Sequence, residues 1–197
     1  MLAAAERYGA DVVRGRHVWV APDPAPFWYE PPDPPKYAEG ESIEHAGGGN
    51  VLFAGRLTSQ RFDERLAHGE DTDFFYRATR RGARIVYSSK PVVYETSPPQ
   101  RATLRYQVMR AFYYAASRAN FERRHKRWGK AVAKVLVRFL WQVPIAIIRL
   151  VTAPLMLPFS RRLFRRHVLK GLSRLMTAAG TVVGLAGCTG NPYRNLT

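Results

Sequence analysis

The stretch His68–Ser88, HGEDTDFFYRATRRGARIVYS, predicts a helix that is followed at once by a strand. Glu70 opens the helical pattern, and the three carboxylates of its first turn face the positive end of the helix dipole. Phe74 and Phe75 begin an apolar face, and Gly82 stands where a glycine commonly ends a helix. The run ARIVYS that follows is typical of a short strand. A helix and a strand in direct succession predict an α/β fold for this part of the chain.

Both flanks of this stretch continue the α/β pattern. Residues 2–9 predict a helix that ends at Gly9, and residues 11–20 alternate as a strand does, with a break at Gly15. Residues 92–95 predict a further strand after a proline turn.

A proline-rich segment, residues 21–35, holds seven of the 14 prolines and predicts an irregular or polyproline II loop. Two interpretations fit this composition. The segment is either a loop anchored by its aromatic residues or a ligand for a proline-binding module, and the loop is the simpler of the two.

Composition and charge narrow the class of protein. The chain has 197 residues, 46% of them hydrophobic, and one cysteine, which excludes disulfide scaffolds, collagen-like repeats and charge-dominated disorder.

Residues 1–100 carry 12 basic and 14 acidic side chains, whereas residues 101–197 carry 19 basic side chains and a single acidic one, Glu122. So basic a half predicts a partner of opposite sign: nucleic acid, anionic lipid or a phosphorylated ligand. The lone thiol, Cys188, and the lack of a signal-peptide pattern at Met1 predict a reducing compartment.

The basic half is helical and partly apolar. From Arg101 the apolar residues recur with helical period, and residues 131–159 are strongly apolar, although four polar residues interrupt them on one side of a helix. These four residues are Lys134, Arg138, Gln142 and Arg149. We expect a helix in the membrane interface that is broken or bent near the prolines at 144, 154 and 158. A membrane-spanning helix and a soluble helical pair are the alternatives.

The chain after this segment also suits a membrane surface. Arg161, Arg162, Arg165 and Arg166 form a cluster that fits anionic headgroups. Residues 175–188 are apolar again but too few to cross a bilayer. We therefore expect a membrane-adherent hairpin at the cytoplasmic face of the cell membrane, peripheral or anchored by these helices.

The carboxylates at the start of the predicted helix are the sharpest candidates for chemistry. Such a cluster can supply a general base, metal ligands or only N-terminal caps, and caps are the commonest explanation. The string Asp71-Thr72-Asp73 has the form D-x-D, but it opens a helix and does not follow an apolar strand. The glycine run at 47–49 lets the backbone approach a ligand closely, although a flexible turn has the same composition.

The order of these motifs resembles that of the family 2 glycosyltransferases, inverting enzymes of the GT-A fold that transfer a sugar from a nucleotide-diphosphate donor. The resemblance covers residues 8–118. The matching pieces are ADVVxG at 10–15, GGN at 48–50, RFDER at 61–65, GEDTDF at 69–74, Arg77, Gly82, VxE at 93–95, and Pro98 through Arg110. It implies an α/β chain with the C-terminal part of a GT-A domain in residues 1–128 and a helical, apolar and basic tail in residues 129–197.

The resemblance also implies roles for individual residues. Asp71 corresponds to the catalytic base, and Glu70 would orient the acceptor or the loop. The substrate and diphosphate-binding candidates are Gly49, Asn50, Asp73, Arg101, Gln107 and Arg110. Arginine forks match phosphate oxygens, so Arg101 and Arg110 are candidates for neutralising the departing diphosphate, although a solvated helix face also explains Arg110. Ala111 replaces the tryptophan of the Q-x-x-R-W motif of processive relatives, so a processive enzyme is not expected.

The resemblance implies partners and a cofactor as well. The expected partners are a nucleotide-diphosphate sugar, a lipid-linked or polysaccharide acceptor and an anionic membrane surface. The divalent metal, Mg²⁺ or Mn²⁺, has its principal ligands in the nucleotide-binding half, which we expect to lie before Met1 or on a separate chain. Glu95 is a candidate for a further metal ligand, or else for a strand-end salt bridge. The five histidines show no zinc-binding spacing.

Two other interpretations of the whole chain stay open. It can be a non-catalytic module that binds a membrane surface or a nucleic acid through its basic half, because aromatic and basic residues alternate between Tyr106 and Trp128. It can also be an inactive remnant of the enzyme.

Overall fold

The computed structural model describes residues 1–29, 34–66, 68–126 and 128–188. Within these residues the fold is mixed α/β, with five α-helices and one three-stranded sheet. The helices are α1 (Leu2–Tyr8), α2 (Glu70–Arg80), α3 (Leu104–His125), α4 (Trp128–Thr152) and α5 (Arg161–Leu185), and the strands are β1 (Val12–Val20), β2 (Val51–Phe53) and β3 (Ile85–Thr96).

The described residues form two compact units. The first unit contains residues 1–21, 34–66 and 70–97, and the second contains residues 22–29, 68–69 and those from 98 onward. The division at residue 98 lies close to the position where the charge composition changes. The helix α3, most of which lies within the predicted domain at residues 1–128, belongs to the second unit.

The sheet of the first unit has β1 at its centre. The strand β2 pairs with β1 antiparallel, and β3 pairs with it parallel on the other side, from Val12 opposite Ile85 to Val20 opposite Thr96. The strand predicted for residues 11–20 and the helix predicted to end at Gly9 are both confirmed, and Gly9 has a φ of 56°.

The pairing of β1 and β3 changes register at Gly15. Arg14 lies opposite Tyr87, whereas Arg16 lies opposite Val92, so β3 accommodates extra residues that leave the ladder. The two short strands predicted on either side of the proline turn are therefore one strand with a bulge. The predicted break at Gly15 is the point where the register changes.

Asn50 holds this bulge together. Its Nδ2 donates to the carbonyl oxygens of Arg16 at 2.8 Å and Pro91 at 2.9 Å, which joins β1 to the bulged part of β3. A Cβ at Gly15 would overlap the Asn50 side chain, so only glycine leaves room for this contact.

The core of the first unit lies between α2 and the sheet. Phe74, Phe75 and Ala78 are buried, as the predicted apolar face of this helix requires. The other buried members of the cluster are Val12, Ile43, Ala46, Leu57, Ala83, Ile85 and Tyr87. Gly82, with a φ of 89°, ends α2, because the Ala83 N–H donates to the Ala78 carbonyl at 3.0 Å across it. Both ends predicted for α2 are thus confirmed.

In the second unit, α3 and α5 meet at two glycines of α5. A Cβ at Gly180 would overlap the carbonyl oxygen of Phe112, and a Cβ at Gly184 would overlap that of Ala116. Small residues spaced four apart let two helix backbones approach this closely, a pattern that is frequent between membrane helices.

We expect Gly184→Ala to destabilise the second unit by about 1–3 kcal/mol, because the added methyl group overlaps backbone and the helices must separate. Gly129→Ala is a matched control in α4, since among the described residues nothing lies within 4 Å of the position of its Cβ. Chemical unfolding followed by circular dichroism measures both variants. Equal unfolding midpoints would contradict the close helix contact.

The polar side of α4 is turned inward. Arg138 donates two hydrogen bonds to Glu122 of α3 at 3.0 and 3.3 Å, and Gln142 accepts one from Arg174 of α5 at 2.6 Å. The Lys134 ammonium lies 3.7 Å from the same Glu122 carboxylate. Three of the four residues of the polar stripe therefore contact other helices of the second unit.

The outer side of α4 is apolar and exposed. It continues beyond Thr152 into a short 3-10 turn, Ala153–Met156, and its exposed members are Leu136, Val137, Phe139, Leu140, Trp141, Ile147, Ile148, Val151, Leu155, Leu157 and Phe159. The segment Trp128–Met156 is long and apolar enough to cross a membrane by length and composition, and 17% of its most apolar window is buried. We call the eleven exposed residues from Leu136 to Phe159 named above the apolar face of α4.

Pro144 does not break α4. The helix continues through it and ends at Thr152, two residues before Pro154. The predicted interruption is therefore confirmed near Pro154 and Pro158, between α4 and α5, whereas the helix is unbroken at Pro144. Proline removes one backbone donor from the helix. The contacts of Arg138 with Glu122 and of Gln142 with Arg174 hold the helix before this proline. After it, the Leu150 side chain packs at Gly171 of α5.

The described part of the proline-rich segment is irregular, as expected. It contains no helix or strand between residues 22 and 29. Trp28 anchors it through a hydrogen bond from Nε1 to the Ala102 carbonyl at 3.1 Å, and the Phe27 carbonyl accepts from Arg162 Nε at 3.2 Å. Residues 30–33 of the predicted loop lie outside the described residues.

Candidate active site

Asp71, the predicted catalytic base, lies in the first turn of α2 with a partly exposed side chain. Its Oδ2 accepts a hydrogen bond from the Gly48 N–H at 2.8 Å. Its Oδ1 accepts from the N–H and the hydroxyl of Thr72 at 2.6 and 3.3 Å. The donors in these contacts are all uncharged, so Asp71 is oriented without being locked in one of the ion pairs of the first unit.

The glycine run at 47–49 forms a turn beside Asp71. A Cβ at Gly47 would lie 3.5 Å from the Asp71 carboxylate, and a Cβ at Gly49 would lie 3.8 Å from His17 Nε2. The turn is therefore bounded by a carboxylate at one end and an imidazole at the other. With no side chains of its own, it lets a bound molecule reach the backbone between them.

The other candidates on α2 differ in position. Glu70 is exposed at the helix start, where it is free of the core. Asp73 is 3% exposed, and its Oδ2 accepts from Arg77 Nε at 2.7 Å. Arg77 also donates to the Arg61 carbonyl at 2.8 Å, so Asp73 fastens α2 to the preceding loop. This geometry favours a structural role for Asp73 over the predicted contact with substrate.

Asn50 is also occupied by structural contacts. Both described hydrogen bonds of its Nδ2 go to backbone carbonyls of the sheet. Its neighbour Gly49 is exposed. Asn50 therefore fixes the position of the glycine turn through its Nδ2.

Glu95 forms a salt bridge at the end of the sheet. Its Oε2 lies 2.9 Å from His17 Nε2, with side-chain exposures of 38% and 34%. This is the strand-end salt bridge that the sequence left open as the alternative to metal binding. Within the described residues no group of three or more His, Cys, Asp or Glu side chains could hold a metal ion.

The remaining candidates lie in the second unit. Arg101 belongs to a short 3-10 turn, Pro99–Ala102, and its carbonyl accepts from Gln107 Nε2 at 2.8 Å. Thr103 caps α3 by accepting a hydrogen bond from the Tyr106 N–H. Gln107, in the first turn of α3, therefore holds the 3-10 turn that contains Arg101.

Arg110 makes a cation–π contact with Tyr114 on α3. Its guanidinium lies over the Tyr114 ring, 4.9 Å from the centroid, and Nη2 donates to the Tyr114 hydroxyl at 3.4 Å. The Tyr114 ring meets the His68 ring edge-on at 4.6 Å. The Ser117 hydroxyl donates to the His68 carbonyl at 2.7 Å, so His68 is held by α3. Arg110 is thus half-buried and oriented, which does not fit a freely solvated helix face.

Two of these neighbours, His17 and Tyr114, are not site candidates from the sequence alone. No histidine has zinc-binding spacing, whereas the pairing of β1 with β3 brings His17 opposite Val93, close to Glu95. Tyr114 follows Arg110 by four residues on the same helix, and this spacing alone predicts that the two side chains are neighbours.

Comparisons with models of known protein families, with curated proteins and with solved structures find no match for this chain.

Proposed function

We propose that this chain is the acceptor-side part of an inverting glycosyltransferase that resembles family 2, with Asp71 as its catalytic base. In the proposed step the acceptor hydroxyl gives its proton to Asp71 while its oxygen bonds to the anomeric carbon of the donor sugar. The bond from that carbon to the diphosphate oxygen breaks on the opposite face, and the nucleoside diphosphate leaves with the electron pair. The configuration at the anomeric carbon inverts.

The contact between Asp71 and Gly48 carries this proposal. It joins two motifs that are 23 residues apart in sequence, the glycine turn and the start of α2. The resemblance requires both motifs at one site. A carboxylate that only capped its own helix would have its partners within the first turn of that helix.

The resemblance makes Arg101 and Arg110 candidates for neutralising a departing diphosphate. Within the second unit Arg110 is oriented by Tyr114, and Arg101 is held in its turn by Gln107. The donor pocket and the metal ligands are assigned to a nucleotide-binding half outside the described residues, on the same polypeptide or on a separate chain.

The experiment that tests this function is sugar transfer with that donor half present, comparing the natural chain with Asp71→Asn. Loss of transfer in a folded variant supports the assignment. Transfer at an unchanged rate would refute it.

We further propose that the second unit attaches the enzyme to an anionic membrane surface, where a lipid-linked or polysaccharide acceptor is available. The apolar face of α4 points outward, whereas Arg138 and Gln142 are bound to other helices, and so large an exposed apolar face marks an interaction surface. Phe159, at the end of this face, is 79% exposed and is followed directly by the arginine cluster at 161–166. An apolar face bordered by cations matches a bilayer with anionic headgroups.

We expect Leu140→Glu to weaken binding to anionic vesicles at least about tenfold, since a carboxylate in the apolar region of a bilayer is costly. Leu2→Glu is the matched control, because both leucines are 70% exposed and Leu2 lies on α1 of the first unit. Co-sedimentation with vesicles of phosphatidylcholine and phosphatidylglycerol measures the effect. Equal binding by both variants, or RNA binding with a steep salt dependence and no vesicle binding, would contradict the proposal.

A further inference from the structure

The helix α4 is one of three helices that pack together in the second unit, where α5 contacts both α3 and α4. A Cβ at Gly184 of α5 would overlap the Ala116 carbonyl of α3, and one at Gly171 would lie 2.8 Å from the Leu150 side chain of α4. The three helices therefore form one bundle. The depth of α4 in a membrane also fixes the depth of α3 and α5.

The packed and the exposed residues of α4 lie on opposite sides of the helix. Ala131, Val135 and Ala146 are buried, and Arg138 and Gln142 are bonded to other helices. At 100° per residue these five positions fall within about 80° of one another. The apolar face of α4 is centred on the opposite side, so a bilayer can meet this helix from that side while α3 and α5 lie behind it.

A crossing by the whole of α4 would bring an exposed cation to the middle of the bilayer. Arg138 lies near the middle of α4 and donates to Glu122 of α3 at 3.0 Å. The same carboxylate lies 3.9 Å from Arg118, whose side chain is 71% exposed. Arg118 would therefore face the hydrocarbon near mid-depth, where a charge is costly.

A crossing by the second half of α4 meets the same obstacle. Residues 139–159 are long enough to cross, and Leu150 lies near their centre. Gly171 of α5 packs at Leu150, and its neighbour Lys170 is exposed. Either crossing thus places an exposed cation in the hydrocarbon, whereas a helix parallel to the membrane plane leaves both cations in water.

Exposed basic residues border both ends of α4. They are Arg123, Arg124, Lys126 and Lys130 at its start, and Arg161, Arg162 and Arg165 beyond its end. A crossing helix would separate these two groups onto opposite faces of the membrane, although cations are commonly concentrated on one face. A helix in the membrane plane places both groups against the anionic headgroups of one leaflet.

We propose that the second unit lies in a single leaflet of an anionic bilayer, with α4 parallel to the membrane plane and α3 and α5 on its water side. The apolar face of α4 enters the boundary between headgroups and acyl chains to a depth of about 5–10 Å. Both ends of α4 then lie on the same side of the membrane. This inference rests on the proposed attachment to a membrane, but not on the transferase assignment or on Asp71.

Cysteine labelling tests whether the two ends share a side. Gly129→Cys and Arg165→Cys, at exposed positions, are each made in the full chain together with Cys188→Ser, which removes the exposed natural cysteine. A maleimide that does not cross membranes should give the same result for both ends in intact cells that express the chain. After lysis it should label both ends in the membrane fraction. Labelling of one end alone in intact cells shows a crossing helix and overturns the inference.

A second pair of variants measures depth in the middle of the bundle. Ile148→Cys lies on the apolar face of α4 and Arg118→Cys on α3, and both positions are exposed. Binding to vesicles of phosphatidylcholine and phosphatidylglycerol should slow the labelling of Ile148→Cys at least about tenfold and that of Arg118→Cys less than about twofold. Strong protection of both positions shows that the bundle is immersed and overturns the inference.

Failure of the attachment itself has a different signature. If Ile148→Cys is labelled as fast on vesicles as in solution, the apolar face does not enter the bilayer, and the attachment and this inference both fail. If Ile148→Cys is protected but the ends differ in intact cells, the attachment stands and only the single-leaflet arrangement is refuted.

Discussion

Replacing Asp71 by asparagine should reduce sugar transfer by about 10²–10⁴-fold, the usual contribution of a general base. The amide cannot take the acceptor proton at the moment the new bond forms. Its oxygen can still accept from the Gly48 N–H, so the glycine turn should keep its place. The measurement is nucleoside diphosphate release from a panel of nucleotide sugars, in membranes that contain the chain and its donor-binding half.

Two comparisons make this result specific to Asp71. Glu6→Gln removes a carboxylate from an exposed position on α1 of the same unit, outside the motifs of the resemblance, and should leave transfer unchanged. The unfolding midpoint of Asp71→Asn should match that of the natural chain, which shows that lost transfer is not lost folding. Transfer that survives in Asp71→Asn, with both controls normal, would remove the basis of the transferase proposal.

Replacing Glu122 by glutamine should destabilise the second unit by about 3–5 kcal/mol, the cost of removing one partner from a buried ion pair. Glu122 is 4% exposed, and Arg138 donates to both of its oxygens. The ammonium groups of Lys126 and Lys134 each lie 3.7 Å from the same carboxylate. Glutamine would leave these cations facing one another around a neutral group.

The effect of Glu122 also has a defined pH dependence. Burial raises the pKa of Glu122, but the hydrogen bonds and charge of Arg138, with the charges of Lys126 and Lys134, outweigh burial and lower it below its ordinary value of 4.5. A carboxylate with a lowered pKa in the folded state stabilises the protein above the ordinary value, and this contribution is lost as the pH falls through the folded-state pKa. Urea unfolding between about pH 7 and pH 3 should therefore show an acid decline that is smaller in Glu122→Gln.

Two further variants identify the buried pair as the cause. Arg118 is 71% exposed and 3.9 Å from the Glu122 carboxylate, so Arg118→Gln should cost less than about 1 kcal/mol. The double variant Glu122→Met with Arg138→Met should recover much of the loss, because it leaves no unpaired charge at the site. A single Glu122→Gln variant as stable as the natural chain would contradict this account.

Local signals in the sequence predicted much of the first unit. Gly9 and Gly82 both adopt positive φ where the sequence places helix ends, since glycine takes that conformation without a steric penalty. The apolar face of α2 is buried as predicted, because residues three and four apart on a helix must share a side. These features depend on a few neighbouring residues, which a sequence shows directly.

Features that depend on distant residues could not be predicted in the same way. Helical spacing shows that Arg138 and Gln142 share a side of α4, but not whether that side faces water or another helix. The partners Glu122 and Arg174 settle this, and they are 16 and 32 residues away. The Asp71 to Gly48 contact is of the same kind. A resemblance to known enzymes suggested that these two motifs share a site, whereas periodicity alone gave no reason for it.

The inward polar side of α4 has a consequence for which substitutions this chain can tolerate. In a water-soluble bundle, surface charges vary freely and interior leucines do not. Here Leu140, Ile148 and Val151 should exchange with one another at little cost, whereas Arg138 and Gln142 should resist replacement. Saturation mutagenesis would then give a profile in which the most hydrophobic positions of the helix are its most permissive ones.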